Sequence, residues 1–318
     1  MNVIFESADS LPRSSGPTEY RRLAKSGLHV SAIGVNLEEG MVYKKGIRGM
    51  SEILETAVHC GVNHFDLAPH YGAFRGMVEE NFGRALHRLG SLREDLVVST
   101  RAGMGTQPRI MPGFGSRKCL ITSLDGTLRR TGLDCVDIFY AHRHDTSTPI
   151  EETAGALDAV VRQGKALYVG VSGYAPAMVQ RMAALLDDLG TPLTACRVTY
   201  SMLHRGPESY LLDVLRSSNI GCVAEGALDY HVDPCSDYPQ EEVEKWQRRL
   251  SNASLKRGQS SRQCAVSWVL RQPVVASALV SLAATEELSE FCAAVHRASF
   301  TAEELASVDA CFPELYDC

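Results

Sequence analysis

Eight residues capable of chemistry stand at or just beyond the ends of short apolar runs in this 318-residue chain. Asp66 and Tyr71 share the segment FDLAPHYG, with His70 between them; Arg101 follows VVST and His142 follows IFYA. Ser172 ends YVGVS, Arg197 lies in TACRV, and Glu225 ends the run IGCVAE. A phenol, two imidazoles and two carboxylates supply general acids and bases. Two arginines in the same pocket suit a carboxylate, phosphate or enolate-like group. Beside Arg101, Tyr71 is expected to favour phenolate, and Glu225 becomes a second acid/base group if partial burial raises its pKa. The bland alternatives are an Asp66–Arg101 structural salt bridge and an Arg197–Glu225 pair that merely plugs the pocket.

Residues this far apart meet only if the elements carrying them converge. Strands are predicted at 29–35, 62–66, 95–100, 134–141, 166–172, 194–198, 219–224 and 276–281, with segments of three- and four-residue apolar spacing between them. Thr148-Pro149 opens one helix, and Gly61 and Gly132 close others. Eight strand–helix units with nearly continuous apolar strands predict an α/β fold, a (β/α)8 TIM barrel, in which strand C-termini converge on one mouth. No G-x-G-x-x-G follows the first strand. Helices over 240–257, 260–271 and 301–311 exceed one per strand and are expected as external additions. No Gly-, Ser- or Pro-rich linker divides the chain, so one domain over 1–318 is expected, with 1–18 as a flexible or extended N-terminal segment.

Hydrophobic residues make up 45%, enough for a large core, and the net charge is −6 with scattered Lys and Arg. That balance argues against nucleic acid or an anionic membrane as partner and leaves a small-molecule substrate; a homo-oligomer is compatible with it. No signal-peptide pattern and no apolar run of spanning length appear, and the ten cysteines form no CxxC pair, so reduced thiols in a cytoplasmic protein and no metal are expected. His64, His144, His204 and His231 lack metal-like spacing and read as solvated or packing residues.

The segments GVNHFDLAPHYG, VEENFGRAL, SRKCLITSLDGTLRRTGLDCVDIFYAHRHD and TPIEETAGALDAVVRQGKALYVGVSGY resemble the aldo-keto reductases, NADPH-dependent (β/α)8 enzymes. The likeness runs from about residue 19 to 311 and is nearest the branch of bacterial glyceraldehyde-3-phosphate reductases and potassium-channel β-subunits. It implies a tetrad in which Tyr71 delivers a proton, Asp66 and a lysine lower its pKa, and His142 orients the substrate; Arg101 stands at the lysine position. It also implies a nicotinamide-stacking aromatic where Glu225 stands, and carboxamide contacts from a Ser-Asn pair and a Gln, where this chain has Ser172, Gly173 and Arg197. Asn36 and Glu38 replace a Gly and a Trp, and Asp229, Asp233 and Asp237 enter the pyrophosphate loop. The adenosine-phosphate segment reads Ser281, Ala283, Ala284, Glu287 and Phe291. Each lost charge-assisted bond costs roughly 1.5–3 kcal/mol. These changes predict a reductase-fold enzyme that has lost NADPH, needs no cofactor, and performs dehydration, isomerisation, elimination, retro-aldol cleavage or cyclisation as a lyase, isomerase or cyclase. Tyr71, His142, Asp66, Arg101 and Glu225 would be catalytic, with Arg197, Ser172 and His70 binding substrate. The alternatives are an NADPH-dependent aldehyde or ketone reductase with unusual cofactor contacts and a non-catalytic binding or regulatory protein.

Overall fold

The computed structural model describes residues 18–38, 41–103, 114–228 and 240–312. The N-terminal segment 1–17 and the stretches 104–113 and 229–239, with Asp229, His231, Asp233 and Asp237, lie outside these residues. Eight parallel strands close a barrel: β3 (Ile33–Asn36), β4 (His64–Asp66), β5 (Val97–Gly103), β6 (Val136–His142), β7 (Ala166–Ser172), β8 (Leu193–Thr199), β9 (Gly221–Glu225) and β10 (Val275–Val280), with β10 pairing back onto β3. The strands are buried along almost their whole length because helices cover them outside and side chains fill them inside. Helices α1 (Met41–His59), α2 (Met77–Arg88), α3 (Arg117–Thr131), α4 (Ile150–Arg162), α5 (Pro176–Asp188) and α6 (Leu211–Ser217) each follow a strand. Two helices, α7 (Gln240–Lys256) and α8 (Ser261–Leu270), join β9 to β10; α9 (Glu286–Val295) and α10 (Ala302–Asp309) come last.

One predicted strand divides. Residues 29–35 become β2 (His29–Ser31), which pairs antiparallel with β1 (Tyr20–Arg22), and the barrel strand β3. Ser31 Oγ donates to the Ile33 carbonyl and accepts from the Asn63 and His64 amides, fixing the bend at Ala32. The hairpin closes the lower end of the barrel. Leu23 and Val30 pack with Val97, Ile138, Tyr140, Ala195 and Val223, the side chains that fill the barrel interior. A side chain at Gly221 would meet Leu23 Cδ1 at 2.5 Å, so the plug depends on that glycine. Arg21 then ties the hairpin to the Leu270 and Val275 carbonyls at 3.0 and 2.9 Å.

The external helices are held by local chemistry as well as by packing. α8 begins with a capping box in which Ser260 and Gln263 satisfy each other's amides, and α10 repeats it with Thr301 and Glu304. The last turn of α3 ends on Gly132 at φ 71°, a left-handed cap that glycine adopts without steric cost. With the strands paired in parallel register, Asp66, His142, Ser172, Arg197 and Glu225 all fall at their C-terminal ends.

Candidate active site

Asp66 is fully buried at the end of β4, and the turn after it returns Tyr71 over the mouth, where the tyrosine is 1% exposed. Arg101 Nη1 donates to Asp66 Oδ2 at 3.0 Å, and Arg197 Nη2 approaches the same oxygen at 3.3 Å. The second oxygen, Oδ1, accepts from Ser99 Oγ at 2.7 Å. Burial alone would raise the Asp66 carboxyl, but Arg197, then Arg101, and the Ser99 bond together hold it below its ordinary value.

Tyr71 OH donates to Asp66 Oδ2 at 3.3 Å and accepts from Arg197 Nη2 at 3.2 Å. The phenolate expected from the sequence does not form. Burial, and next the Asp66 charge, push the phenol well above its ordinary value despite Arg101 and Arg197. Burial and the nearby Asp66 carboxylate outweigh the Arg101 charge on which that expectation rests. Tyr71 is therefore a proton holder, suited to donating.

The register sets His142, Ser172 and Arg197 side by side across β6, β7 and β8. His70 joins them from the turn: its ring lies 5.1 Å from Tyr71, edge on, and 6.3 Å from His142, nearly parallel. Both imidazoles are neutral. Burial, followed by Arg101 and Arg197, lowers His70 to about 4 and His142 to about 3. Glu225 makes an ion pair with Arg197 Nη1 and accepts from Thr199 Oγ1 at 3.1 Å. Its carboxylate is thus engaged by the neighbouring strand. Glu38, after β3, accepts from Asn36 Nδ2 at 3.5 Å.

Two further groups belong to the site, His64 and Arg143. His64 is neither solvated nor simple packing: Nδ1 lies 3.0 Å from Ser277 Oγ and Nε2 3.2 Å from Ser99 Oγ. Because Ser99 donates to Asp66, it accepts from His64 Nε2–H, and Nδ1 accepts from Ser277. This buried chain continues the site down the barrel axis. Its position inside a strand, two residues before Asp66 and on the same face, was the available signal. Arg143, directly after His142, adopts a left-handed φ of 64°, rare for a side chain other than Gly, Asn or Asp. It is exposed, its Cγ packs over Gly173, and its charge helps depress His142.

The nicotinamide dinucleotide implied by the resemblance meets two different environments. Ser172 Oγ is buried at the mouth without a hydrogen-bond partner among the described residues, and fits a carboxamide. On the far side, the Ala283 amide donates to Glu287 Oε2 at 2.8 Å, and Arg262 Nη1 donates to Glu287 Oε1 at 2.6 Å. Burial would raise the Glu287 carboxyl, but Arg262 and the Ala283 amide hold it low. A carboxylate thus already engages donors that a phosphate would use. Ser281 and Ala284 are half-buried beside it, Ala283 is exposed, and Phe291 belongs to the core under the Arg262 guanidinium. Among the described residues no cluster of three or more His, Cys, Asp or Glu could hold a metal ion, and no helix is long and apolar enough to cross a membrane.

Residues 49–313 match the aldo/keto reductase family. The chain is 38% identical over 323 residues to L-glyceraldehyde 3-phosphate reductase of Escherichia coli O157:H7, covering 94% of this chain and 93% of that protein; the K12 protein of the same name is 37% identical with the same coverage. A probable voltage-gated potassium channel subunit beta of Arabidopsis thaliana is 29% identical, over 87% and 91% of the two chains. A crystallised thermostable aldo-keto reductase bound to the inhibitor epalrestat superposes with a TM-score of 0.76 at 26% identity, over 92% of this chain and 99% of the other.

These likenesses overturn the expectation of a cofactor-independent lyase, isomerase or cyclase that has lost NADPH. Identity to named reductases extends along nearly the whole chain, and the family model that matches is that of the aldo/keto reductases. Much of a dinucleotide's grip comes from backbone N–H groups, which side-chain substitution leaves in place, and losses at neighbouring contacts do not add. The barrel, the full-length identity and the family match agree: this chain belongs to the aldo/keto reductase family.

Proposed function

We propose that this protein reduces a small aldehyde or ketone with NADPH, and that its preferred substrate carries an anionic group of the glyceraldehyde 3-phosphate kind. The observation that carries the reading is the neutral Tyr71 hydroxyl, hydrogen-bonded between Asp66 and Arg197 at the mouth of a reductase-family barrel. When bound, the nicotinamide supplies the two electrons and the hydrogen that reach the carbonyl carbon. Ser172, whose buried Oγ has no hydrogen-bond partner among the described residues, would hold its carboxamide. Tyr71 O–H hydrogen-bonds to the substrate carbonyl oxygen, polarises it, and donates its proton as the alkoxide forms. Asp66 and the two arginines fix the hydroxyl, and the arginine charges stabilise the negative charge left on it. His142 and His70, both neutral, lie beside Tyr71 and orient the carbonyl without adding charge.

The exposed Arg143 supports the anionic substrate. Its left-handed backbone costs roughly 1–3 kcal/mol, strain of the kind retained at binding rims. Its guanidinium meets the substrate phosphate, and Arg143→Gln removes one charge-assisted bond. The variant is expected to raise KM for glyceraldehyde 3-phosphate about 10-fold or more while leaving KM for unphosphorylated glyceraldehyde within about 2-fold, read from NADPH absorbance. Equal changes for both substrates would remove Arg143 from the anion site. No turnover of either by the unaltered protein would overturn the reading.

A further inference from the structure

Two arginines reach Asp66, but they address Tyr71 differently. Arg101, at the position the resemblance gives to the tetrad lysine, lies against the ring: its guanidinium carbon is 4.9 Å from the ring centroid. Arg197 comes from the far side of the barrel, on β8, and its Nη2 donates directly to the hydroxyl oxygen at 3.2 Å. It is 1% exposed, and its other terminal nitrogen is held by Glu225, which Thr199 steadies in turn. We infer that Arg197, held by Glu225, is the positioning residue that makes Tyr71 an effective proton donor, the role having moved from β5 to β8.

The inference rests on the reductase reading for its role in turnover, though its geometry does not. As Tyr71 gives up its proton, the O–H bond breaks, a new O–H bond forms on the substrate oxygen, and the electron pair stays on the phenol oxygen. An N–H already aimed at that oxygen strengthens as its charge grows. A cation over the ring face also favours phenolate, but supplies no directed hydrogen bond. Because Arg197 takes the acceptor side of the hydroxyl, the proton is free to turn from Asp66 toward a carbonyl. Glu225 prevents the guanidinium from folding entirely onto Asp66, so one arginine serves three elements. The charged and titratable groups around Tyr71 are Glu38 after β3, Asp66 on β4, His70 in its own turn, Arg101 on β5, His142 on β6, Arg197 on β8 and, through Arg197, Glu225 on β9.

The test replaces Tyr71 by 3,5-difluorotyrosine, whose phenol ionises at lower pH, and follows its 19F resonance against pH in protein without cofactor. Arg197→Gln keeps an N–H donor and removes the charge; Arg197→Lys keeps the charge without the fork. The Gln variant is expected to raise the midpoint by about 1 unit or more, a tenfold loss of acidity, with the Lys variant between it and the parent. A folded Gln variant titrating at the parent midpoint overturns the inference. If the Gln variant does not fold, the Lys variant decides: a midpoint above the parent supports the role and an unchanged midpoint overturns it. Absence of NADPH turnover would defeat the reductase reading while leaving this titration intact, so the two failures are distinguishable.

Discussion

Glu287 occupies the donors of its own neighbourhood. Its carboxylate takes the Ala283 amide and the Arg262 guanidinium, groups suited to a phosphate oxygen. At the position the resemblance gives to the adenosine phosphate, a bound 2′-phosphate would have to displace that carboxylate, so the proposed NADPH binding is expected to be weaker than Arg262 alone would allow. Glu287→Gln removes the repulsion while keeping a side chain of the same shape. Fluorescence titration is expected to show NADPH binding tightened about 10-fold and NADH binding altered far less; an equal change for both would place Glu287 away from the phosphate. Residue identities at the mouth were legible in the sequence because Asp66, His142, Ser172, Arg197 and Glu225 lie at or near the ends of apolar runs and Tyr71 follows in the turn after one. Their states were not. Whether Tyr71 is phenol or phenolate depends on burial and on a carboxylate five residues away, neither of which a residue list weighs. The Arg197–Glu225 pair was visible only as an alternative, since sequence gives no distance between strands.

The elements were more legible than the states they impose. Strand β7 coincides with its predicted range, and α7, α8 and α10 appear within two residues of theirs. The β1–β2 hairpin was hidden because the β2 and β3 segments share one apolar pattern, and a bend of one residue at Ala32 leaves no trace in it. His64 shows what a strand interior does to a titratable group. Fixed between β5 and β10 by Ser99 and Ser277, and wholly buried, it is held neutral with its pKa lowered to about 4, burial being the chief cause. Unfolding returns it to an ordinary histidine near 6.5. Between those values the unfolded chain binds more protons, so stability falls as pH drops from 6.5 toward 4, by roughly 3 kcal/mol for this group. Chemical denaturation at pH 6.5 and 4.5 is expected to show a smaller pH-dependent loss for His64→Asn than for the parent, even though the variant starts less stable. Equal losses would mean that His64 is not the group being protonated.

At the scale of the molecule, the two ends of the barrel differ. The lower end is plugged by Leu23 and Val30, and near it a cavity of about 1040 Å³ opens between the last turns of α2 and α3. Arg88, Arg129 and Arg130 around that cavity sit at helix C-termini, where positive charge offsets the helix dipole. The candidate site lies at the upper end, where six strands each deliver one side chain to the space around Tyr71. Fold and site were therefore readable together from strand ends, whereas cofactor use was not, because backbone donors carry no sequence signature. The central claim is that this barrel transfers a hydride and that Tyr71 supplies the accompanying proton. The most direct measurement is NADPH oxidation at 340 nm with glyceraldehyde 3-phosphate, for the parent and for Tyr71→Phe. The account predicts turnover by the parent and a fall in kcat of at least about 100-fold in the variant, with NADPH affinity preserved. A parent that oxidises no NADPH with this or simpler aldehydes, or a Tyr71→Phe variant as fast as the parent, would contradict it.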